Sequence, residues 1–349
     1  MKKKTGVNLS PLKLELDGKG ISKNKELSPS GLSRFFVTLK NSFNKILGVN
    51  MLMVLGNLPL LFLVAVLAGY TRVTAYLPSG DLFQNFNGIF MIEDPSPFTM
   101  SFFAIEGLPK PIMVNTTLSY IFIGISALTL LTFGVVNVGC AYVLRNIAMG
   151  EAVFVWTDFK YAIKRNYKQA IPFGIIDVII NGVLLFNVFT TISSPNFVTS
   201  LMFWATVCLV VLYFFMRPYI YVQMVTFALP VFKMFKNALL FSMLGLKRNI
   251  AALLGNLILI LLEILFIFGA GGILISIGVA LPLAIMFGVM AYMKVFAAYF
   301  KIKEIMIDPY KQEHPDEFAE EPEQDDIIMH DDVTEAEKLD EIKKRNGVI

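Results

Sequence analysis

The sequence predicts an all-α fold: a polytopic membrane helical bundle of six transmembrane helices with cytoplasmic amphipathic helices. Three observations predict it. Of 349 residues, 56% are hydrophobic and only 16% charged, with a mean hydropathy of +0.64, too apolar for an ordinary soluble domain. Six apolar runs, 46–69, 117–144, 171–191, 198–216, 250–268 and 271–296, approach or exceed the about 20 residues that a helix needs to cross a hydrocarbon core. Before the first, third and fifth runs, apolar residues recur at helical spacing among lysines and arginines, as in helices lying on a membrane surface.

The net charge of +3 conceals a division by position. Residues 304–349 hold 16 acidic and 5 basic residues, a balance of −11, which leaves +14 on the remainder. The predicted organisation is therefore a basic tail over 1–30, a six-span membrane domain over 31–303 and an acidic tail over 304–349. The first tail is Lys-, Ser- and Gly-rich without periodicity; the acidic one is too polar to bury a core before a short apolar stripe at Val333, Ala336, Leu339 and Ile342.

Leu32, Phe35, Phe36, Leu39 and Phe43 form the first surface helix and feed the first span. The segment 70–116 follows, with Phe83, Phe86 and Phe90 at helical spacing; it reads either as an amphipathic helix resting on the outer leaflet or as a docking site for a partner. The stretch 140–170 joins the second and third spans. In it Trp156, Phe159, Ile163 and Tyr167 share a face while Asp158, Lys160, Lys164, Arg165 and Lys168 fill the other positions, as a basic surface helix acting as a hinge. Spans three and four, and spans five and six, are separated by so few residues that each pair forms an antiparallel hairpin. Of 30 Lys and Arg, 28 fall on one side of this topology, leaving Arg72 and Lys110 on the other; both termini are therefore expected in the cytoplasm.

Cys140 and Cys208 both lie in apolar runs and the two histidines, His314 and His330, in the acidic tail, so neither a metal site nor His-based catalysis has candidates within the membrane body. No phosphate-binding or nucleophile-elbow motif is present, and nothing points to a cofactor or to nucleic acid; the lipid bilayer is the expected partner. The candidate intramembrane polar site consists of Asp177, Glu263, Asn181 and Lys294. Asp177 and Glu263 are the acids well inside spans, and an ionised Asp there costs about 2.5–3.5 kcal/mol unless a partner or a water-filled cavity receives it. Asp177 lies roughly 9 Å below the cytoplasmic end of its span, within reach of Lys294, Arg145 or Arg217, whereas Glu263 lies toward the outer side, near Arg72. Asn57, Asn137, Asn181, Asn187 and Asn256 read as interhelical packing contacts. The candidate interaction surface is Trp156, Asp158, Phe159, Lys164 and Arg165 with Phe83, Phe86 and Phe90; lipid anchoring and partner docking use the same residues.

A repeat is also legible. Basic pairs precede the outgoing spans at Lys164-Arg165-Asn166 and Lys247-Arg248-Asn249, and Leu55-Gly56-Asn57-Leu58 echoes Leu254-Gly255-Asn256-Leu257. The unit is a surface helix followed by two spans, used three times. Three two-span units also build mitochondrial carriers, whose P-x-[DE]-x-x-[KR] signature is absent.

Arg145, Gly150-Glu151, Asp158-Phe159 and Lys164-x-Asn166-x-Lys168-Gln169-Ala170, with Asn50 nine residues before Pro59, resemble the YesL-like family of bacterial integral membrane proteins, a domain of unknown function found mainly in Firmicutes. The likeness covers about 35–303; the segment after Pro59 lacks the Thr-x-Gly-Pro that the family often shows there. The resemblance implies a six-span protein of the bacterial plasma membrane and, since members are often encoded beside carbohydrate ABC importers, transporter subunits as partners. Two functions stay open: a non-enzymatic accessory or scaffold associated with carbohydrate uptake, and a small solute transporter or channel using Asp177 and Glu263.

Overall fold

The computed structural model describes residues 31–77, 96–98, 101, 110–192, 196–269 and 271–314. The expected tail over 1–30, the part of the expected acidic tail from 315 to 349 and the aromatic run with Phe83, Phe86 and Phe90 lie outside the described residues. Five helices are long and apolar enough to cross a membrane, and a bent pair at the start makes a sixth. The protein is an all-α integral membrane bundle.

Helix α1 (Leu32–Asn41) buries Phe35 and Thr38 and leaves Leu32 and Phe36 exposed. The first span is α2 (Phe43–Gly56) and α3 (Leu58–Leu67), bent by 57° between them. Pro59 has no N–H to offer the carbonyl four residues back, so the helical ladder fails there. The Asn57 side chain donates instead to the Met53 carbonyl at 2.8 Å.

Strands β1 (Arg72–Leu77) and β2 (Lys110–Asn115) then pair antiparallel, Arg72 opposite Asn115 and Leu77 opposite Lys110. The ends of the segment expected to carry a surface helix are thus extended, where the β-branched Val73, Thr74, Ile112 and Val114 sit comfortably. Thr116 and Ser119, each donating its hydroxyl to the Thr71 carbonyl at 2.7 and 2.8 Å, tie this ribbon to the start of the second span.

The second span comprises α4 (Thr117–Ser126) and α5 (Thr129–Met149), ended by Gly150 at φ +88°, a conformation that glycine adopts without a Cβ clash. The expected hinge over 140–170 is corrected here. Its first ten residues complete α5, and from Val155 the basic segment runs without interruption into the third span as one helix, α6 (Val155–Thr191). Phe159, Ala162, Ala170, Phe173 and Asp177 form its buried stripe on both sides of Pro172, so continuous packing sustains the helix through that residue. The fourth span, α7 (Phe197–Thr226), extends ten residues past its expected end at 216, because the run after Arg217-Pro218 is apolar and buried. This brings Arg217 inside a helix rather than into a loop.

Helix α8 (Val231–Leu244) repeats the surface-helix position before the fifth span, α9 (Leu246–Ile264), which continues as a π-helical turn over Leu265–Gly269. The sixth span is α10 (Ile273–Leu281), a π-helical turn Pro282–Met286 and α11 (Phe287–Ile302). Asn50 of the first span serves that irregular turn. Its Nδ2 donates to the carbonyls of Pro282 and Leu283 at 3.1 and 2.7 Å, and its Oδ1 accepts from the Gly288 N–H at 2.8 Å.

The even-numbered spans form the centre: α5, α7 and α11 each pack on the other two, with α2 against α5 and α11, α6 against α5 and α7, and α9 against α11. Helices α5 and α6 approach so closely at Gly134 and Gly174 that a Cβ on either would lie 2.0–2.6 Å from backbone atoms of the other. Leu144, Ile147, Tyr219, Ile220 and Tyr292 fill the core, whereas Leu61, Phe186, Phe189, Trp204 and Leu261 face outward, as a lipid-exposed surface allows. Arginines close helix ends: Arg34 donates to the Ala148 and Met149 carbonyls at the end of α5, and Arg145 to Val225 at the end of α7, where a cation meets the negative end of the helix dipole. Thr38 and Tyr292 share a hydroxyl hydrogen bond that joins α1 to α11.

The described residues divide into two units, the first ending at Ile302 and the second beginning at Lys303. The described part of the second is a π-helical turn, Lys303–Ile307, and α12 (Asp308–Glu313).

Candidate functional site

Asp177 is fully buried on α6. Its burial is answered by side chains of α7 at helical spacing: Tyr213, Arg217 and Tyr221 stand four residues apart and so share one face. Tyr213 donates to Asp177 Oδ1 at 2.7 Å and Tyr221 to Oδ2 at 2.6 Å. Arg217 Nε lies 3.0 and 2.7 Å from the two oxygens, an ion pair. Asn181, one turn along α6, donates to Oδ1 at 2.8 Å. The guanidinium lies over the rings of Phe133 and Tyr221, 4.9 and 5.4 Å from their centroids, which adds cation–π attraction.

A cavity of about 210 Å³ opens beside this network, lined by Asn137, Cys140, Asn181, Tyr213, Arg217, Tyr221 and Lys294 among apolar residues such as Met53, Leu184 and Phe214. Lys294 comes from α11 and carries its Nζ 5.3 Å from the centre of the Phe214 ring. Among the described residues it forms no ion pair with a carboxylate. Of the expected polar site, then, Asp177 and Asn181 are in direct contact, and Asn181 and Lys294 line the cavity beside them.

Glu263 does not join them. It sits half-buried on α9 away from the cavity lining, and its Oε2 has no hydrogen-bond partner among the described residues. Arg72, its expected cation, donates to Asn115 Oδ1 at 3.1 Å across the ribbon. The asparagine expectation also changes: Asn57, at the break in the first span, and Asn137, Asn181 and Asn256 within their helices each donate to the carbonyl four residues back, and the contacts between elements fall to Asn50 and to Asn249, which accepts from the Tyr219 hydroxyl at 3.0 Å. Arg145, the other cation considered for Asp177, is spent on the end of α7.

On the basic surface, Trp156 is exposed, stacks on Phe159 and lies under the Lys160 ammonium at 4.3 Å. Phe159 is buried against Gly139, and Asp158 accepts from the Phe154 N–H at 3.0 Å, so both hold the start of α6 in place. Lys164 and Arg165 are exposed. Among the described residues no three His, Cys, Asp or Glu side chains gather to hold a metal ion.

The tyrosines were the missed part of the site. Their signal was present, since Tyr213-x-x-x-Arg217-x-x-x-Tyr221 marks one helix face. Comparison with protein-family models, with curated proteins and with solved structures finds no match.

Proposed function

We propose that this protein is a non-enzymatic membrane protein that binds a small solute in the cavity between α5, α6, α7 and α11, in the manner of a transporter or channel. The observation that carries the reading is a largely apolar cavity into which Arg217, Lys294, Asn137 and Asn181 bring charged and polar groups, inside a membrane-spanning bundle. Charged groups at membrane depth are costly and are kept where they serve a path or a ligand. Glu263 has no part in this version of the reading. The test is water access: in full-length protein with Cys140→Ser and Cys208→Ser, a cysteine placed at Leu184 on the cavity wall reacts with small hydrophilic methanethiosulfonates, and a solute that binds slows the reaction. A Leu184→Cys thiol as inert as one at the lipid-facing Phe186 overturns it.

The accessory reading, a scaffold that meets carbohydrate ABC transporter subunits in a bacterial plasma membrane, draws support from the YesL-like resemblance and from the exposed Phe154 and Trp156 at the start of α6. Photo-crosslinking from position 156 in native membranes checks it: capture of lipid alone removes that support.

A further inference from the structure

We propose that the ligand of this cavity carries an oxyanion, a carboxylate or phosphate group, held between the terminal nitrogens of Arg217 and the ammonium of Lys294; the inference rests on the solute-binding reading above and names its ligand class. The first ground is the saturation of Asp177. An ionised carboxylate offers about four acceptor positions, and Tyr213, Tyr221, Asn181 and Arg217 supply four donor groups to it. It has nothing left for a metal cation or an ammonium ligand.

The second ground is the way Arg217 is held. Both of its contacts with Asp177 run through Nε, so the terminal nitrogens, which make no hydrogen bond among the described residues, keep the planar fork that matches a carboxylate or phosphate. Asp177 and the two rings fix that fork in place before any ligand arrives, which lowers the ordering cost of binding. Lys294 adds a second cation to the same wall. The Asp177–Arg217 pair is neutral, so the lining as a whole carries one uncompensated positive charge. At about 30 Å³ per water in the liquid, the space equals roughly seven waters, enough for a small organic anion or for the phosphate of a larger one.

The experiment compares the sulfonatoethyl and trimethylammonioethyl methanethiosulfonates, one anionic and one cationic, on the Leu184→Cys protein in phosphatidylcholine nanodiscs. The anionic reagent is expected to react about tenfold faster relative to its rate with a free thiol, as focusing by a cationic cleft requires. Lys294→Gln should bring the ratio near unity and Lys294→Arg should restore it. Inorganic phosphate or acetate should protect the thiol if the anion is soluble; protection that appears instead on adding phosphatidylglycerol to the discs identifies a lipid headgroup, the same chemistry from another source. Equal or faster reaction of the cationic reagent in the parent protein overturns the anion assignment and leaves the cavity standing, and that measurement needs no change at Lys294. Reaction with neither reagent overturns the solute-binding reading, and the anion assignment falls with it.

Discussion

At the scale of single residues, Asp177 and Arg217 are interdependent in a way that can be measured. Removing either leaves the other charged and without its partner in a buried setting, a loss of about 3–5 kcal/mol, whereas replacing both with apolar groups removes the desolvation cost together with the attraction. Asp177→Leu and Arg217→Leu are therefore each expected to destabilise the protein by that amount, and the double substitution by clearly less than their sum, measured by reversible unfolding in mixed micelles. Additive losses would mean that the pair is not a unit. This acid was legible in the sequence because a carboxylate stands out in an apolar run, and Arg217 was among three cations within reach. Tyr213 and Tyr221 were not, since a tyrosine in a span reads as one more large apolar side chain until a neighbouring helix shows where its hydroxyl points. Glu263 looked equivalent to Asp177 for the same reason: composition reports depth along a helix but not rotation about it.

At the scale of elements, the tightest seam is the crossing of α5 and α6. Membrane helices gain nothing by hiding apolar surface from lipid, so close backbone approach at small residues supplies much of their association. Gly174→Leu is expected to push the two helices apart and cost about 2 kcal/mol or more, as overpacking does, with a fall in melting temperature; the same change at Gly182, where a Cβ meets open space, should be nearly neutral. Helix existence and order were legible from run length and spacing. The failures have physical causes. Where a buried stripe crosses a proline, as at Pro172 and Pro218, packing outweighs the missing hydrogen bond and the helix runs on; at the half-exposed Pro59 no such stripe continues, and the helix bends. The ribbon of β1 and β2 escaped notice because six-residue strands carry little periodic signal beside an aromatic run at helical spacing.

For the molecule as a whole, three units of one surface helix and two spans place α1, the start of α6 and α8 before the first, third and fifth spans. The positive-inside rule predicts that this basic end faces the cytoplasm. In a variant lacking Cys140 and Cys208, a cysteine at Ser96 should react with an impermeant thiol reagent on intact cells, and one at the exposed Lys236 only after the membrane is opened; the reverse pattern would invert the topology. The order of surface helix and paired spans was legible in the sequence, while the mutual packing of α5, α7 and α11 was not, since partner choice among equally apolar helices leaves no trace in hydropathy. The link between α5 and α6 is only the short turn after Gly150, yet these helices meet along their length at Gly134 and Gly174, and Arg145 reaches from one side of that turn to the end of α7 on the other. Contacts of that kind do not depend on a peptide bond. Two polypeptides, 1–150 and 151–349, made separately in the same cell, should therefore find one another in the bilayer and copurify as a complementing pair, and Gly174→Leu should separate them.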